Sequence, residues 1–347
     1  MTYYFTLPKV DELTIDQNTV AYEKNAIAVA GAPGTGKSIV SLWRHIQGID
    51  MGTRKSLLLT YTVTLELVLT SLAKTISKEA GEHISRTYWW LSHENERRDH
   101  YDEIIVDEAQ DVGVEKYQQL KQYTEHISYG ADDSQVLYPE HCSRKQELET
   151  LFPDAEQYTL YDNFRNTYEI LIFVKSLFND SFIPQQTLDS IEKHGEKPRL
   201  LITDKSNQNN IILETINEYY SLDAHNIGIL VPFSDDVNRV YNMISSQGLE
   251  CSSYSNKYGF KSTDNDSDLI ESIHITTFKS SKGTEFDTVI LPDFELITKS
   301  DTSEFIILKE NDYYVALTRA KSNLYMISNK KILSNYSNTN TFDEVEV

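Results

Sequence analysis

The strongest constraint on the fold is a glycine-rich run at residues 31–38, which reads Gly-Ala-Pro-Gly-Thr-Gly-Lys-Ser and fits the pattern G-x-x-x-x-G-K-[ST]. Apolar residues 27–30 come directly before it, and residues 39–42, which are compatible with a helix, follow. A strand, a tight glycine turn and a helix in this order place backbone N–H groups around a phosphate at a helix N-terminus. The run therefore predicts an α/β domain with a phosphate-binding loop.

Each residue type in this loop has a defined chemical task. Glycines let the backbone close around phosphate oxygens, the lysine ammonium reaches the β- and γ-phosphates, and the last hydroxyl ligates magnesium. The predicted nucleotide-contacting residues of the loop are Gly31, Gly34, Thr35, Gly36, Lys37 and Ser38.

A pair of adjacent carboxylates supplies the second half of the expected chemistry. Asp107 and Glu108 follow residues 104–106, an Ile-Ile-Val run that reads as a buried strand. At a strand end, Asp107 can hold magnesium and Glu108 can orient a water. A solvated acidic turn is the alternative interpretation, but such a turn does not need an apolar β-branched run before it. Together with the loop, the pair predicts a nucleotide triphosphatase that uses magnesium.

Apolar strand-like runs alternate with amphipathic stretches along the chain, which predicts parallel sheets covered by helices. The predicted strands are residues 26–30, 57–60, 104–106, 126–129, 199–202, 227–231, 273–277, 288–291 and 324–327. Residues 256–267 are polar and charged and read as a loop. We expect a first lobe over residues 1–157, a second lobe over residues 158–333, and a frayed acidic tail over residues 334–347.

Composition limits the partners and the cell compartment. The 347 residues contain no apolar run of membrane-spanning length, and Cys142 and Cys251 lack the spacing of zinc ligands. We therefore expect a cytoplasmic protein without membrane association and without metal other than nucleotide-bound magnesium. The net charge of −21 disfavours tight unaided binding to nucleic acid, although a local basic groove still works at physiological salt.

Adjacent tryptophans occur at Trp89 and Trp90, within the sequence Thr-Tyr-Trp-Trp-Leu. An indole ring can fill a core or stack on a nucleic-acid base. We expect one ring in the core and the other on the surface, with core packing favoured over base stacking.

Further segments resemble, in order along the chain, the motifs of the UvrD/Rep-like group of superfamily 1 helicases. Beside the phosphate loop and DEAQD at residues 107–111, they are LTIDQ (13–17), TYT (60–62), ADDSQVLY (131–138), NFR (163–165), TFKSSKGTEFD (277–287) and YVALTRAK (314–321). They correspond to the upstream glutamine motif and to motifs Ia, III, IV, V and VI of that family. The similarity covers almost the whole chain and implies two RecA-like P-loop NTPase lobes with parallel sheets.

The resemblance implies a role for each matching residue. Magnesium would be held by Ser38 and Asp107. Catalysis is implied for Glu108 at the attacking water and for Gln135, Arg165 and Arg319 at the γ-phosphate. Further contacts with ATP are implied for Gln17 and Phe164 at adenine, Glu285 at ribose, and Gly283 in the same motif as Glu285. Both arginines belong to the second lobe, so hydrolysis would depend on lobe closure.

The chain departs from the family pattern in places that concern nucleic acid. Residues 62–101 and 165–277 are too short to hold the large accessory domains of the family, which indicates a minimal two-lobe form. The Arg and aromatic residue expected after motif III are replaced by Pro139, Glu140 and His141, and the Thr-x-His of motif V reads Thr-Phe-Lys. The remaining candidate contacts with a single strand are Thr62, Tyr138, Thr277 and Lys279.

Two functions remain open at this point. The first is an ATP-hydrolysing, helicase-like motor that engages single-stranded DNA, with strand separation that is either weak or dependent on a protein partner. The second is an ATP-gated regulatory subunit that controls a partner such as a nuclease, as in bacterial phage defence. The acidic composition and the altered residues after motif III favour the second function, whereas motifs V and VI favour the first.

Overall fold

The computed structural model describes residues 3–93, 99–136, 142–178, 183–264, 270–297, 309–331 and 339–347. The chain packs into two compact units. Phe5–Asn163 forms the first lobe, and Phe164–Val347 together with Met1–Tyr4 forms the second lobe. The backbone therefore passes between the lobes after Tyr4 and again after Asn163.

The described part of the first lobe contains a six-stranded sheet with helices on its faces. Its strands are β1 (Ile27–Gly31), β2 (Ser56–Thr60), β3 (Ile84–Arg86), β4 (Glu103–Val106), β5 (Ile127–Ala131) and β6 (Glu156–Leu160). Its helices are α1 (Ile15–Tyr22), α2 (Lys37–Asp50), α3 (Val63–Ile76), α4 (Lys78–Glu82), α5 (Thr87–Ser92), α6 (Val114–Leu120) and α7 (Lys145–Leu151). All neighbouring strands are parallel, in the order β3-β2-β4-β5-β1-β6.

The central strands of this sheet are buried on both faces. Every residue of β4 is buried, and Ile104 and Val106 share one apolar cluster with Tyr117 of α6. Strands covered on both faces read as continuous apolar runs, which explains the Ile-Ile-Val sequence of β4. Because β4, β5 and β1 are adjacent and parallel, the residues that follow their carboxyl ends lie along one edge.

The described part of the second lobe contains an eight-stranded sheet in the order β10-β9-β11-β8-β12-β13-β7-β14. Its strands are β7 (Arg199–Ile202), β8 (Ile227–Val231), β9 (Ser252–Ser255), β10 (Gly259–Ser262), β11 (Ile273–Thr277), β12 (Phe286–Leu291), β13 (Ala320–Ser328) and β14 (Asp343–Glu346). Its helices are α8 (Tyr168–Leu177), α9 (Gln185–Asp189), α10 (Gln208–Tyr219), α11 (Ser234–Ser245) and α12 (Glu310–Leu317). Neighbouring strands are parallel except for the β9–β10 hairpin.

Successive residues of the central strands in the second lobe point to opposite cores. Val289 and Leu291 of β12 pack in the cluster that includes α8 and α12, whereas Ile290 packs in the cluster that includes α10 and α11. A side-chain period of two with both faces apolar requires helices on each side of the sheet. The lobe is therefore a three-layer α/β unit.

The fold class predicted from the sequence is confirmed, and each predicted strand is present. The strands that the sequence did not indicate, β3, β6, β9, β10 and β14, are short or polar. The loop expected over residues 256–267 is wrong at Gly259–Ser262, which forms β10 and pairs with β9. β6 pairs with β1 in the first sheet, so the expected boundary after residue 157 falls inside β6, and the packing division follows Asn163.

The frayed tail expected over residues 334–347 is wrong for its described part. Residues 343–346 form β14, which pairs in parallel with β7. Phe342 is 5% exposed, and its ring centroid lies 5.8 Å from that of Phe173. Lys331 Nζ lies 3.3 Å from a Glu344 oxygen and 2.5 Å from a Glu346 oxygen. One apolar anchor and one opposing cation thus order a segment whose composition alone indicates disorder.

The adjacent tryptophans separate as expected. Trp90 is 1% exposed in the first-lobe core, whereas Trp89 is 37% exposed. No helix within the described ranges combines the length and the apolar character that a membrane span requires.

Candidate nucleotide and nucleic-acid site

The glycine-rich loop leaves β1 and enters α2, as its sequence predicts. Gly36 caps α2 with φ 90°, a left-handed conformation that side chains rarely adopt. A Cβ atom at Gly31 would lie 2.5 Å from Thr35 Oγ1 and 2.7 Å from the Leu160 carbonyl oxygen. Gly34 also has positive φ, and Thr35 Oγ1 donates to the Ala32 carbonyl at 2.9 Å. These contacts fix a compact loop whose N–H groups lie at the start of a helix.

Side chains from within and outside the loop hold its carbonyl groups. Gln17 Nε2 donates to the Thr35 carbonyl at 3.2 Å, and Asn163 Nδ2 donates to the Pro33 carbonyl at 2.7 Å. Lys37 Nζ donates to the Gly31 carbonyl at 2.7 Å and lies 3.9 Å from Asp132 Oδ2. Gln17 therefore lies against the phosphate loop, while its expected contact with adenine stays a prediction.

Asp107 is placed where a cation would be held. It follows β4, is 1% exposed, and accepts a hydrogen bond from the Ser38 side chain. None of the described groups donates to its Oδ2 atom. Burial, and then the charge of Glu108, raises the pKa of Asp107 to about 7. A buried carboxylate with one unbonded oxygen beside a hydroxyl fits the oxygen ligands of magnesium, so Ser38 and Asp107 are the residues that would hold it.

Glu108 begins a hydrogen-bonded network that connects neighbouring strand ends. Its φ of 56° is left-handed, a conformation that costs a non-glycine residue of order 1–3 kcal/mol and recurs at active sites. Gln110 Nε2 donates to Glu108 Oε2 at 2.7 Å, and the Asp132 N–H donates to Gln110 Oε1 at 3.2 Å. Gln135 Nε2 donates to Asp132 Oδ2 at 2.6 Å. The structure thus brings Glu108, Gln135 and Lys37 into one network through Gln110 and Asp132.

The second lobe gathers its own set of predicted residues at the amino ends of β12 and β13. Arg165 Nε donates to Glu285 Oε2 at 2.8 Å. Arg319 is 1% exposed, and its guanidinium donates to the Val315 carbonyl at 2.9 Å and the Thr284 carbonyl at 3.3 Å. Phe164 is 57% exposed, as a ring available for stacking would be. These contacts place both arginines beside Glu285 and its neighbour Thr284.

Motif V crosses the second sheet from one edge to the other. Thr277 ends β11, and Glu285 directly precedes β12, which runs parallel to β11 through their shared neighbour β8. Thr277 therefore lies at the carboxyl edge of the sheet and Glu285 at the amino edge. Gly283, with φ 84°, lies near the end of this crossing. Thr277 and Lys279 can thus face one ligand while Glu285 faces another.

The candidate nucleic-acid contacts have different surroundings. Thr62 caps α3 by accepting the Leu65 N–H at 3.2 Å. Thr277 Oγ1 donates to Ser280 Oγ at 3.0 Å. Lys279 Nζ lies 4.0 Å from Asp312 Oδ1, and its side chain is 29% exposed. Tyr138 lies outside the described residues.

Several residues with a place in these sites were not assigned one from the sequence. Asp132 and Gln110 connect Glu108 to Gln135, and both lie within or directly after the matched motifs. Trp89 stacks on His93 with ring centroids 4.4 Å apart, and neighbouring Tyr88 is 38% exposed. Their helix α5 follows β3, whose partner β2 leads to Thr62. Tyr3, which contacts Glu285, lies in no motif.

The described residues hold no cluster of three or more His, Cys, Asp or Glu side chains suited to a metal ion. Nucleotide-bound magnesium does not require such a cluster, because phosphate oxygens and water supply most of its ligands.

Comparison with known proteins agrees with this geometry. Residues 260–331 match the "UvrD-like helicase C-terminal domain", which confirms the resemblance to UvrD/Rep-like helicases. "Putative ATP-dependent DNA helicase R568" of Acanthamoeba polyphaga mimivirus is 25% identical over 241 residues, which are 64% of this chain and 34% of the viral protein. The chain thus spans about a third of that relative's length.

Solved structures are similar in fold. Dbp5 of S. cerevisiae bound to RNA and ADP BeF3 gives a TM-score of 0.61 at 12% identity, covering 96% of this chain and 89% of Dbp5. The arterivirus nonstructural protein 10 helicase gives 0.45 at 12% identity, covering 93% and 63% of the respective chains. The similarity to Dbp5 supports the assignment of RecA-like lobes.

A match over a longer segment of the chain identifies the family to which it belongs. Residues 24–210, which are more than half of the chain, match the family described as "Schlafen group 3, DNA/RNA helicase domain". This range includes the phosphate loop, the acidic pair and Arg165, and the UvrD-like match covers motifs V and VI. The chain therefore belongs to the Schlafen group 3 DNA/RNA helicase domain family, and its second lobe contains a UvrD-like helicase C-terminal domain.

Proposed function

We propose that this chain is an ATP-hydrolysing, helicase-like motor that engages single-stranded DNA in complex with a protein partner. The observation that carries the proposal is Asp107, whose buried carboxylate combines a bond from Ser38 with an oxygen that accepts no hydrogen bond from the described groups. In a structural role, such a carboxylate would need compensating bonds. Beside a phosphate-binding loop, it suits magnesium bound to a nucleoside triphosphate.

Hydrolysis would use the network of the first lobe. Lys37 would exchange its carbonyl partners for the β- and γ-phosphates, which offer a charged acceptor in place of a neutral one. Glu108 would orient the attacking water, with its carboxylate held by Gln110, and Gln135 would respond to the γ-phosphate through the same network. Magnesium, when bound, would neutralise charge on the phosphate oxygens.

The second lobe would contribute cationic groups to the same reaction. Arg165 and Arg319 are expected to stabilise charge on the transferred phosphoryl group, an effect worth about 10³ to 10⁵ in rate in other nucleotidases. Each is fixed by contacts within its own lobe, so each is oriented before nucleotide binds. Phe164 and Glu285 would contact the nucleoside.

Single-stranded nucleic acid would meet a different set of residues. The relative from mimivirus is named a DNA helicase, and Dbp5 was solved with RNA; we propose DNA for this chain. Lys279 and Thr277 at the carboxyl edge of the second sheet would contact the strand, as would Thr62 and Tyr138. The exposed ring of Trp89 adds a stacking surface, because base–aromatic contacts tolerate any sequence.

The charge of the chain supports the need for a partner. At −21, the overall field repels a polyanion, so a basic path would come most simply from another protein. The described residues also include no evident element that would separate strands. We therefore place strand separation in a complex and nucleotide hydrolysis in this chain.

Phosphate release by the purified chain tests the proposal. We expect magnesium-dependent ATP hydrolysis that Lys37→Ala abolishes, weak salt-sensitive stimulation by a single-stranded DNA oligonucleotide, and stronger stimulation when the natural partner is copurified. RNA of the same sequence serves as the comparison ligand. Hydrolysis that persists in Lys37→Ala would refute the nucleotide assignment. Strong unwinding of duplex DNA by the single chain at physiological salt would refute the need for a partner.

The second candidate function is an ATP-gated subunit that regulates a partner such as a nuclease in bacterial phage defence. The net charge and the Pro139-Glu140-His141 sequence after motif III favour it, and those three residues lie outside the described ranges. In that case DNA would leave the ATPase rate of the isolated chain unchanged. A stable protein partner would instead change that rate or be released by nucleotide.

A further inference from the structure

Tyr3 contacts the backbone of Glu285, one of the residues expected at the nucleotide. The Tyr3 hydroxyl donates to the Glu285 carbonyl at 2.5 Å, and the Glu285 N–H donates to the same hydroxyl oxygen at 3.3 Å. Burial, with the charge of Glu285 second, raises the pKa of Tyr3, so its hydroxyl keeps the proton that it donates. The Tyr3 hydroxyl thus forms hydrogen bonds with both the N–H and the C=O of Glu285.

The ring of Tyr3 rests on a rigid support. It packs edge-on against Phe286, with ring centroids 5.8 Å apart and planes at 77°. Phe286 is fully buried, and a Cβ atom added at Gly228 would lie 2.4 Å from its ring. Phe286 therefore has no space to shift toward Gly228, and the Tyr3 ring packs against a fixed surface.

The backbone around Tyr3 is anchored independently of its hydroxyl. The Tyr3 N–H donates to the Ile270 carbonyl at 2.7 Å. The side chain of Asn226, which is 1% exposed, accepts from the Tyr4 N–H at 2.9 Å and donates to the Tyr4 carbonyl at 2.5 Å. Loss of the hydroxyl alone would therefore leave the segment in place.

Glu285 needs such a contact because of its position in the chain. It follows the crossing of motif V, in which Gly283 adopts φ 84°, and it precedes the first residue of β12. Its carboxylate accepts from Arg165 at 2.8 Å, so a shift of the Glu285 backbone would move both side chains. Phe5, two residues after Tyr3, already belongs to the first lobe.

We propose that Tyr3 is a positioning residue for the nucleotide site: its hydroxyl fixes the Glu285 backbone and, through the Glu285 carboxylate, the direction of Arg165. The inference rests on the proposed function in that Glu285 and Arg165 act on ATP. Tyr3 itself touches no reacting atom. It lies in the segment that connects the second lobe to the first, so this segment sets the geometry of a nucleotide contact.

Hydrogen–deuterium exchange tests the positioning step without nucleotide. In Tyr3→Phe, the Glu285 amide loses its acceptor, and we expect peptides covering residues 284–288 to exchange several-fold faster than in the unaltered chain. Tyr4→Phe is the matched control, since the Tyr4 side chain is 53% exposed and the bonds of Tyr4 to Asn226 are made by its backbone. Unchanged exchange in Tyr3→Phe would overturn the inference whether or not the chain hydrolyses ATP.

Nucleotide kinetics test the functional step. We expect Tyr3→Phe to raise the KM for ATP roughly threefold to tenfold, the equivalent of one or two hydrogen bonds, with little change in melting temperature. Discrimination between ATP and its 2′-deoxy and 3′-deoxy analogues should weaken, and Tyr3→Phe should add no further effect in a Glu285→Ala background. If the effects of Tyr3→Phe and Glu285→Ala are additive, or if discrimination against the deoxy analogues is unaltered in Tyr3→Phe, Tyr3 only packs against its neighbours. A chain in which Lys37→Ala also leaves hydrolysis unchanged would instead refute the proposed function.

Discussion

In the first lobe the predicted reactive residues follow the carboxyl ends of parallel strands, as Asp107 follows β4. In the second lobe Glu285 and Arg319 instead precede the amino ends of β12 and β13. The first arrangement is the general one for ligands of parallel sheets. A rule about strand ends is therefore sufficient to find the phosphate site, whereas the second-lobe residues can be found only by motif.

The lobes also differ in how they hold these side chains. Glu108, Gln110, Asp132 and Gln135 form side-chain and backbone bonds with one another. Arg319, in contrast, is held mainly by backbone carbonyls. A substitution in the first-lobe network should therefore disturb several side-chain partners, and a substitution of Arg319 should remove a cation together with its bonds to the backbone. We therefore expect larger effects on activity from substitutions in the first lobe than from substitutions in the second.

The largest effects are expected in the first lobe. Lys37→Ala should abolish ATP binding, because we expect its ammonium to contact phosphate in the ground state. Glu108→Gln should retain binding and slow turnover by about 10² to 10⁴, the usual contribution of a general base. Calorimetric titration with ATP and single-turnover phosphate release would measure the two quantities. Equal loss of ATP binding in both variants would contradict the division of roles.

Smaller losses are expected for the arginines of the second lobe. Arg319→Ala should lower kcat about 100-fold and Arg165→Ala about tenfold, with smaller changes in KM, since we propose that both act on charge that develops during transfer. Arg319→Lys is the companion variant, because the buried guanidinium also supports the fold. Arg239→Ala is the control, an exposed arginine 3.2 Å from Asp236. An unchanged kcat in Arg319→Ala or Arg165→Ala would show that the substituted arginine has only a structural role.

Each lobe also contains one buried histidine that links stability to pH. Burial lowers the pKa of His45 to about 4 and that of His274 to about 3. Both values lie below the unfolded value of about 6.5, so the unfolded state binds the proton more tightly. Stability is complete above pH 6.5 and falls as the pH drops toward the folded pKa values. At pH 5, proton binding linked to each histidine should lower the free energy of unfolding by about 2 kcal/mol relative to its value above pH 6.5.

Denaturant unfolding at pH 8 and pH 5 would measure this difference. In His45→Gln, the decrease in unfolding free energy between pH 8 and pH 5 should be smaller by about 2 kcal/mol, as proton linkage requires. His274→Gln should reduce the decrease by a similar amount. His100→Gln, at an exposed position, is the control. If both buried variants keep the full pH dependence, other groups account for it.

The smallest expected effect distinguishes the carboxyl edge of the second sheet, near Lys279, from the amino edge, near Glu285. Lys279→Ala should weaken single-stranded DNA binding about fourfold at 0.15 M salt and reduce the salt slope by about 0.7, as expected for one phosphate contact. The KM for ATP should not change, because Lys279 lies at the opposite edge from Glu285. Lys78→Ala, at a side chain that is 86% exposed in the first lobe, is the control. An equal change in both variants would indicate a general effect of charge.

The sequence predicted the central strands and the phosphate loop because both depend on local patterns. The apolar run before Asp107 and the spacing of glycines around Lys37 each specify geometry within a few residues. The contact of Tyr3 with Glu285 joins positions far apart in the chain and has no local pattern. β14 was missed for a similar reason, since its order depends on Phe342 packing against Phe173 and on Lys331.

The position of β14 has a consequence for solubility. Together with β10, it borders the described sheet of the second lobe, and a bordering strand presents N–H and C=O groups that can recruit another chain. Its sequence places Asp343, Glu344 and Glu346 along that border. A second copy approaching edge to edge would bring the same negative charges together, and repulsion of this kind is a common protection against β-aggregation. Lys331 neutralises part of this charge, and the remainder should disfavour edge-to-edge pairing of two copies.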